Sequence, residues 1–276
     1  MHWITTRFTI DLTQPRVMGI VNVTPDSFSD GGRHATTQLA LAHCEQLLAE
    51  GADMLDIGGE STRPGALAVP LDEELARVMP VLEAALKLGC PVSVDTRRAE
   101  VMRAALALGA DIVNDINALQ APGALDAVSA HDRCGVCLMH MHGTPETMQA
   151  RPDYDDVVEA VSAFLRERVL ALEACGVAGE RVVVDPGIGF GKRPEHIIAL
   201  LRRQAELLTL GRPLLVGWSR KSTLGVITGR GVAERQAASV AAALAAVQHG
   251  ARIVRVHDVA QTVDALKVWS AAGLPG

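Results

Sequence analysis

The stretch MGIVNVTPDSFSDGG, residues 18–32, starts as a short apolar run and breaks at Asn22 into small, polar and turn-forming residues. It reads as a buried strand that runs out into a loop and leaves a polar side chain at its C-terminal end. In α/β barrels the chemistry sits at that end of the strands. The loop carries Thr24, Asp26, Ser27, Ser29 and Asp30 around one isolated Phe28. That is more polar chemistry than a plain surface turn needs, and loops held on a rigid scaffold are where function concentrates.

Outward from this stretch the same unit recurs: short apolar strand, polar loop, amphipathic helix. The predicted strands are 16–20, 54–58, 91–95, 111–115, 135–140, 181–185, 213–217 and 252–256. Helical periodicity covers 35–51, 72–89, 97–109, 155–176, 194–211, 235–250 and 260–273. Six of these helices run into a glycine (Gly51, Gly89, Gly109, Gly176, Gly211 and Gly250), the usual left-handed stop. The strands are runs of Val, Ile and Leu without clean alternation, as in parallel sheets buried on both faces. Strands alternating with helices imply βαβ units. Eight of them without a linker or low-complexity segment predict an α/β fold, a single (β/α)8 TIM barrel spanning 1–276 as one domain. An open doubly wound sheet would usually carry a Gly-rich phosphate turn after its first strand, which is missing here. The alternating segment WITTRFTIDL, 3–12, predicts a short β-hairpin closing the bottom of the barrel.

Size and composition suit this reading. The chain has 276 residues, 49% of them apolar, 3% aromatic and 21% charged, with a net charge of -6. There is no basic run interleaved with aromatics, so nucleic acid is not an expected partner. The N-terminus has no apolar signal core, and the longest apolar run, near 237–247, is too short to cross a bilayer. A cytoplasmic protein without a membrane partner is expected. Five cysteines, Cys44, Cys90, Cys134, Cys137 and Cys175, lie scattered along the chain. The odd count argues for reduced thiols rather than a disulfide framework, and the lone CxxC at 134–137 lacks a second pair for zinc.

Every predicted strand ends in polar or ionisable groups. Asn22 follows the first, GGESTRPGA (58–66) the second, Asp95 the third, and Asn114 with Asp115 the fourth. HMHG (140–143) follows the fifth, Asp185 in DPGIGFGK (185–192) the sixth, SRKS (219–222) the seventh, and Arg255, His257 and Asp258 the eighth. A scaffold has no need of this eight times over, so an enzyme is expected. Asp95, Asn114 and Asp185 converge in the barrel mouth and suit a flat heterocycle rich in N–H groups, such as a 2-amino-4-oxo pyrimidine ring. A buried carboxylate is costly unless such donors reach it. The competing reading is that Asp95 and Asp185 each cap the next helix. Arg63, Arg220, Lys221 and Arg255, with His257 nearby, make the other end cationic, where barrels of this kind bind phosphate. Ser222 and Thr223, opening a helix, could add backbone N–H groups. Asn22 offers a neutral oxygen to a Mg2+ that stays mostly hydrated and substrate-bound. For Arg255 and His257 the competing reading is an internal salt bridge with Asp258. His140 and His142 share a strand face, but no third zinc ligand is evident.

Together these segments resemble the dihydropteroate synthase family along nearly the whole chain. The matching motifs are MGIVNVTPDSFSDGG (18–32), DIGGESTRPGA (56–66), SVDT (93–96), VNDI (113–116), MHMHGTPETMQ (139–149), DPGIGFGK (185–192), GWSRKS (217–222) and RVHDV (255–259). The resemblance implies a (β/α)8 fold, usually a homodimer. It also implies a transferase of folate biosynthesis that joins 6-hydroxymethyl-7,8-dihydropterin diphosphate to p-aminobenzoate with Mg2+ as cofactor. Pyrophosphate and 7,8-dihydropteroate are its products, and it is a target of sulfonamides. By the same resemblance Asp95, Asn114, Asp185 and Lys221 hold the pterin and Asn22 contacts the metal. Thr62, Arg255 and His257 bind the diphosphate. Arg63, Pro64, Phe190 and Ser219 shape the p-aminobenzoate site, with Ser222 receiving its carboxylate. Departures from the family pattern are His142, Ile197 and the bulky Trp218.

No nucleophile with an adjacent base is apparent, so a covalent enzyme intermediate is not expected. The expected chemistry is an SN1-like substitution at the pterin methylene, with Asp95, Asp185, Lys221 and Arg255 as the catalytic groups and loops 22–33 and 58–68 closing over the site. Three alternatives stay open at this level. One is a pterin-binding methyltransferase acting on a corrinoid protein. Another is a Schiff-base aldolase using Lys221, and the third is an inactive homologue that only binds pterin.

Overall fold

The computed structural model describes residues 1–24, 33–63, 65–148 and 152–274. Eight parallel strands close into a barrel: β3 (Arg16–Asn22), β4 (Met54–Gly58), β5 (Val92–Asp95), β6 (Ile112–Asp115), β7 (Gly135–Met139), β8 (Val182–Asp185), β9 (Leu214–Val216) and β10 (Ala251–Val256). They pair in chain order, and β10 returns to β3. Their near-continuous burial is what unalternating Val/Ile/Leu runs require, since one face meets the barrel interior and the other the helices.

The outer helices are α1 (Arg33–Ala49), α2 (Leu71–Ala85), α3 (Ala99–Leu108), α4 (Ala124–Ser129), α5 (Val157–Ala174), α6 (Pro194–Arg202), α7 (Ser222–Thr228), α8 (Gln236–Gln248) and α9 (Val259–Ala271). All six glycines expected to stop helices lie at positive φ. Two expectations need correction. The segment 194–211 is not one helix, because α6 ends at Arg202 and a 3-10 helix, Gln204–Leu210, follows. The break is set by Gln204, a buried side chain whose amide donates to the carbonyls of Ala246 (2.8 Å) and His249 (3.2 Å). The short α4 between β6 and β7 was not predicted, since six residues carry too little periodicity to read.

The expected hairpin is present as β1 (His2–Ile4) paired antiparallel with β2 (Thr9–Asp11). Trp3 and Leu12 are fully buried and join a cluster with Met18, Met54, Ile112, Cys137, Val183, Leu215 and Ile253 from the barrel strands. The Trp3 indole N–H donates to Arg181 O at the entry of β8 (2.9 Å), so the hairpin plugs the N-terminal end of the barrel. The opposite end, where the strands finish, is left for polar groups. All five cysteines are free, and Cys175 alone is exposed.

Candidate active site

The barrel mouth is built on one charge network. Arg255, next to last in β10, reaches across the interior. Its Nε donates to Asp56 Oδ2 (2.6 Å) and its Nη2 to Asp95 Oδ2 (2.7 Å). Asn114 Nδ2 donates to the same Asp56 oxygen at 3.1 Å. Asp95 and Asn114 are register partners on neighbouring strands, with Gly58 the β4 partner of Asp95. Asp56, two residues inside β4, is fully buried, and its other oxygen, Oδ1, has no hydrogen-bond partner among the described residues.

The capping reading fails for Asp95, because α3 is capped at Arg98 without a side-chain bond and Asp95 faces Arg255 instead. Asp185 ends β8 and is 6% exposed, and its Oδ1 accepts from Gly187 N (2.7 Å). Burial pushes Asp185 up to about 6, with the Gly187 N–H pulling the other way. Burial also raises Asp95, against the pull of Arg255. Asp115, by contrast, leaves the site. Its two oxygens accept from Asn117 N and Leu119 N, both at 2.7 Å, and fix the turn after β6.

The cationic end is narrower than the sequence suggested. Arg220 is paired with Asp258 (Nη2–Oδ1, 2.7 Å), so Asp258 neutralises Arg220 rather than Arg255 or His257. His257 is neutral, since burial first and then Arg255 lower it to about 3. Its ring Nδ1 lies 3.0 Å from Ser219 Oγ, which also accepts from His257 N at 3.1 Å. Lys221, lowered to about 8 by burial, sits with Nζ 4.2 Å from the centroid of the Phe190 ring. Phe190 packs with Ile116, Met139, Met141 and Met148, an apolar wall beside the polar floor.

The remaining expected residues fall around this centre. Asn22 ends β3 half-buried. Thr62 is half-buried, Arg63 exposed, and Pro64 lies outside the described residues. Ser222 opens α7, an additional short helix after β9. Of loop 22–33, residues 25–32, Phe28 among them, also lie outside the described residues. Within loop 58–68 Glu60 takes Arg97 Nε (2.9 Å) and Arg98 Nη2 (3.2 Å), and Arg97 also lies 3.6 Å from Glu146 after β7.

Asp56 and Lys192, two buried charges at or beside the site, went unread in the sequence. Asp56 sits inside the strand MLDIG, where a lone carboxylate in an otherwise apolar buried run was itself the signal. Lys192 closes DPGIGFGK and is 2% exposed. Its Nζ meets His140 Nδ1 at 2.8 Å, so that nitrogen of His140 is occupied by a lysine, while His142 is exposed. No group of three or more His, Cys, Asp or Glu placed to hold a metal occurs among the described residues.

Comparison with known proteins fits this geometry. The family profile described as pterin binding enzyme matches residues 18–257. The chain therefore belongs to the pterin-binding enzyme family. It is 55% identical over 278 residues to a dihydropteroate synthase of Neisseria meningitidis serogroup B, covering 99% of this chain and 98% of that one. A Burkholderia cenocepacia dihydropteroate synthase complexed with 7,8-dihydropteroate superposes with a TM-score of 0.89 at 53% identity, covering 99% and 96% of the two chains. A Yersinia pestis dihydropteroate synthase in a sulfonamide drug complex gives 0.93 at 46%, covering 99% of each. Within its class the chain belongs to the dihydropteroate synthase family, transferases of folate biosynthesis.

Proposed function

We propose that the protein condenses 6-hydroxymethyl-7,8-dihydropterin diphosphate with p-aminobenzoate, releasing pyrophosphate and 7,8-dihydropteroate. The observation that carries this reading is the joined polar network at the barrel mouth. Asp56, Asp95, Asn114 and Asp185 offer acceptors to a ring with several N–H groups, and Arg255 connects them to the cationic end. In this reading Asp95, Asn114 and Asp185 hold the pterin with Lys221. Thr62, Arg255 and His257 take the diphosphate, with His257 acting as a neutral donor. Arg63, Pro64, Phe190, Ser219 and Ser222 border the p-aminobenzoate.

The C–O bond to the diphosphate breaks and its electron pair leaves on the pyrophosphate oxygen. Arg255 offers fixed positive charge where that negative charge develops. The methylene left behind is cationic and delocalised into the dihydropterin, a charge that ionised Asp95 and Asp185 favour. The aniline nitrogen then forms the new C–N bond and gives up one proton to solvent. Because it is weakly basic, its orientation matters more than its activation. Lys221 follows its strand at the N-terminal boundary of α7, lies over the Phe190 ring and feels the charge of Asp185, an arrangement suited to holding the pterin rather than to forming an imine.

Mg2+ is the proposed cofactor. A single neutral amide oxygen at Asn22, with no carboxylate cage among the described residues, suits an ion held mainly by phosphate oxygens and water. When bound, it would neutralise charge on the leaving diphosphate. The chain acts as one unit over 1–276, and a sulfonamide would compete for the p-aminobenzoate end. Val226 and Ile227 on α7 and Val268 on α9 are exposed apolar residues that support a homodimer. No described helix is long and apolar enough to cross a membrane, which supports a cytoplasmic setting.

The test is turnover with both substrates, with and without Mg2+, following dihydropteroate and pyrophosphate together. Equimolar, Mg2+-dependent products are expected. Absence of product while pterin still binds in calorimetry would overturn the reading in favour of a binding homologue. Asp185→Asn is expected to weaken pterin binding at least tenfold, about 1.4 kcal/mol.

A further inference from the structure

Lys192 is a cationic side chain sealed inside the protein, and among the described residues no carboxylate hydrogen-bonds its Nζ. Its Nζ lies 2.8 Å from His140 Nδ1, 3.3 Å from His140 O, and 3.0 Å from both Gly187 O and Phe190 O. Burying an ammonium is expensive, and three N–H donors are compensated here by four acceptors of neutral groups. The acceptors come from the exit of β7 and from the loop that follows β8. Gly187 shows how tightly the two are drawn together. It has φ +68, and a Cβ there would sit 1.9 Å from His140 O, so a side chain is excluded.

Both faces of this loop lead into the proposed site. Gly187 N donates to Asp185 Oδ1 (2.7 Å), while Gly187 O accepts from Lys192 and from Phe190 N (3.1 Å). Phe190 O is a further Lys192 acceptor, and the Phe190 ring lies under Lys221. Carboxylate and ring are thus set by peptide groups that share one cation.

We propose that Lys192 is a positioning residue whose buried ammonium shapes the 185–192 loop, aiming Asp185 at the pterin and Phe190 at the aromatic co-substrate. The inference rests on the roles of Asp185 and Phe190 given above. Lys192 takes the place in this loop that a bound cation takes in other carbonyl-lined turns, and it fixes His140 as a neutral acceptor with its proton on Nε2. Burial holds Lys192 near 7 and His140 near 2, in line with a neutral His140.

The experiment compares Lys192→Met with Arg181→Met. Arg181 is also a buried cation that binds carbonyls, those of Cys134, Asp132 and Val128, but it does so at the base of the barrel. Both variants should melt lower. Only Lys192→Met should raise the Kd for the pterin diphosphate by about tenfold or more and raise KM for p-aminobenzoate. Equal and unchanged Kd and KM in the two variants would overturn the proposal. Asp185→Asn, titrated in parallel, separates the two readings. If it weakens pterin binding while Lys192→Met does not, the role of Lys192 alone falls. If Asp185→Asn also binds as before, the pterin reading of the pocket falls. Should Lys192→Met fail to fold, nitrogen-15 NMR of histidine-labelled wild type decides. An unprotonated His140 Nδ1 at every pH from about 5.5 to 7, where Lys192 carries its charge, is expected, and a His140 titrating near the ordinary value of about 6.5 would overturn the proposal.

Discussion

Asp56 is where the two ends of the pocket meet, since one of its oxygens receives both the Arg255 guanidinium and the Asn114 amide. Asp56→Asn keeps the shape and removes the charge, leaving Arg255 to Asp95 alone. A hydrogen bond to a charged buried group contributes about 1.5–3 kcal/mol, so unfolding stability should fall by about that amount and kcat/KM for the pterin diphosphate roughly tenfold or more. Urea unfolding and steady-state kinetics check the two parts, and wild-type kinetics would show that Asp95 alone holds Arg255. Asp95, Asn114 and Asp185 were legible in the sequence because a polar residue at a strand end stands out against the apolar run before it. The state of the cations was not legible. Arg255 lies 199 residues from Asp56 in the chain, and nothing local to Arg220 announces that Asp258 will claim it. Whether a charge is free or committed is decided by strand closure, which brings distant groups together.

The loop after β4 is held by elements rather than by its own turns. Arg77 Nη1 donates to Gly59 O (2.9 Å), Gly65 N to Pro145 O (3.0 Å), and Arg97 bridges Glu60 to Glu146. Arg97 follows Asp95 by two residues, so the exit of β5 serves the proposed pterin site and steadies the neighbouring loop at once. Arg97→Ala should loosen Thr62 and Arg63 without touching the pterin floor. A partly exposed ion pair contributes about 1 kcal/mol, so KM for p-aminobenzoate should rise roughly fivefold while the pterin Kd stays within about twofold. Paired kinetics and calorimetry test this, and a matching rise in pterin Kd would mean that the two sites are not separable. At this scale the long helices and the buried strands were readable from period and glycine stops. The short α4 and the break after α6 were not, because six residues show no period and Gln204 acts through carbonyls of a helix more than 40 residues away.

Across the whole molecule the barrel separates stability from chemistry by end. The hairpin plug belongs to the stable end, and truncating a fully buried Trp of this kind costs about 3–5 kcal/mol. Trp3→Ala should therefore lower the melting temperature sharply and leave the pterin Kd of the folded fraction unchanged, measurable by thermal melts and calorimetry. The catalytic end has the opposite character. Asp185, raised to about 6, favours the protonated form when folded, so its contribution to stability is greatest below the ordinary carboxylate range and is lost as pH rises through about 6. Lys221, lowered to about 8, favours the neutral form when folded, so its contribution is greatest above the ordinary lysine range and is lost as pH falls through about 8. Between these values the ligand-free pocket holds both charges at the expense of stability, and a ligand with N–H donors and a diphosphate supplies the missing partners. kcat/KM should then form a bell with limbs near 6 and 8 that belong to the coupled cluster rather than to single residues. The rise in melting temperature on adding 7,8-dihydropteroate, a probe of the carboxylate side, should grow as pH passes upward through about 6. A thermal shift independent of pH from 5 to 9 would mean that the pocket charges are already compensated by the protein itself.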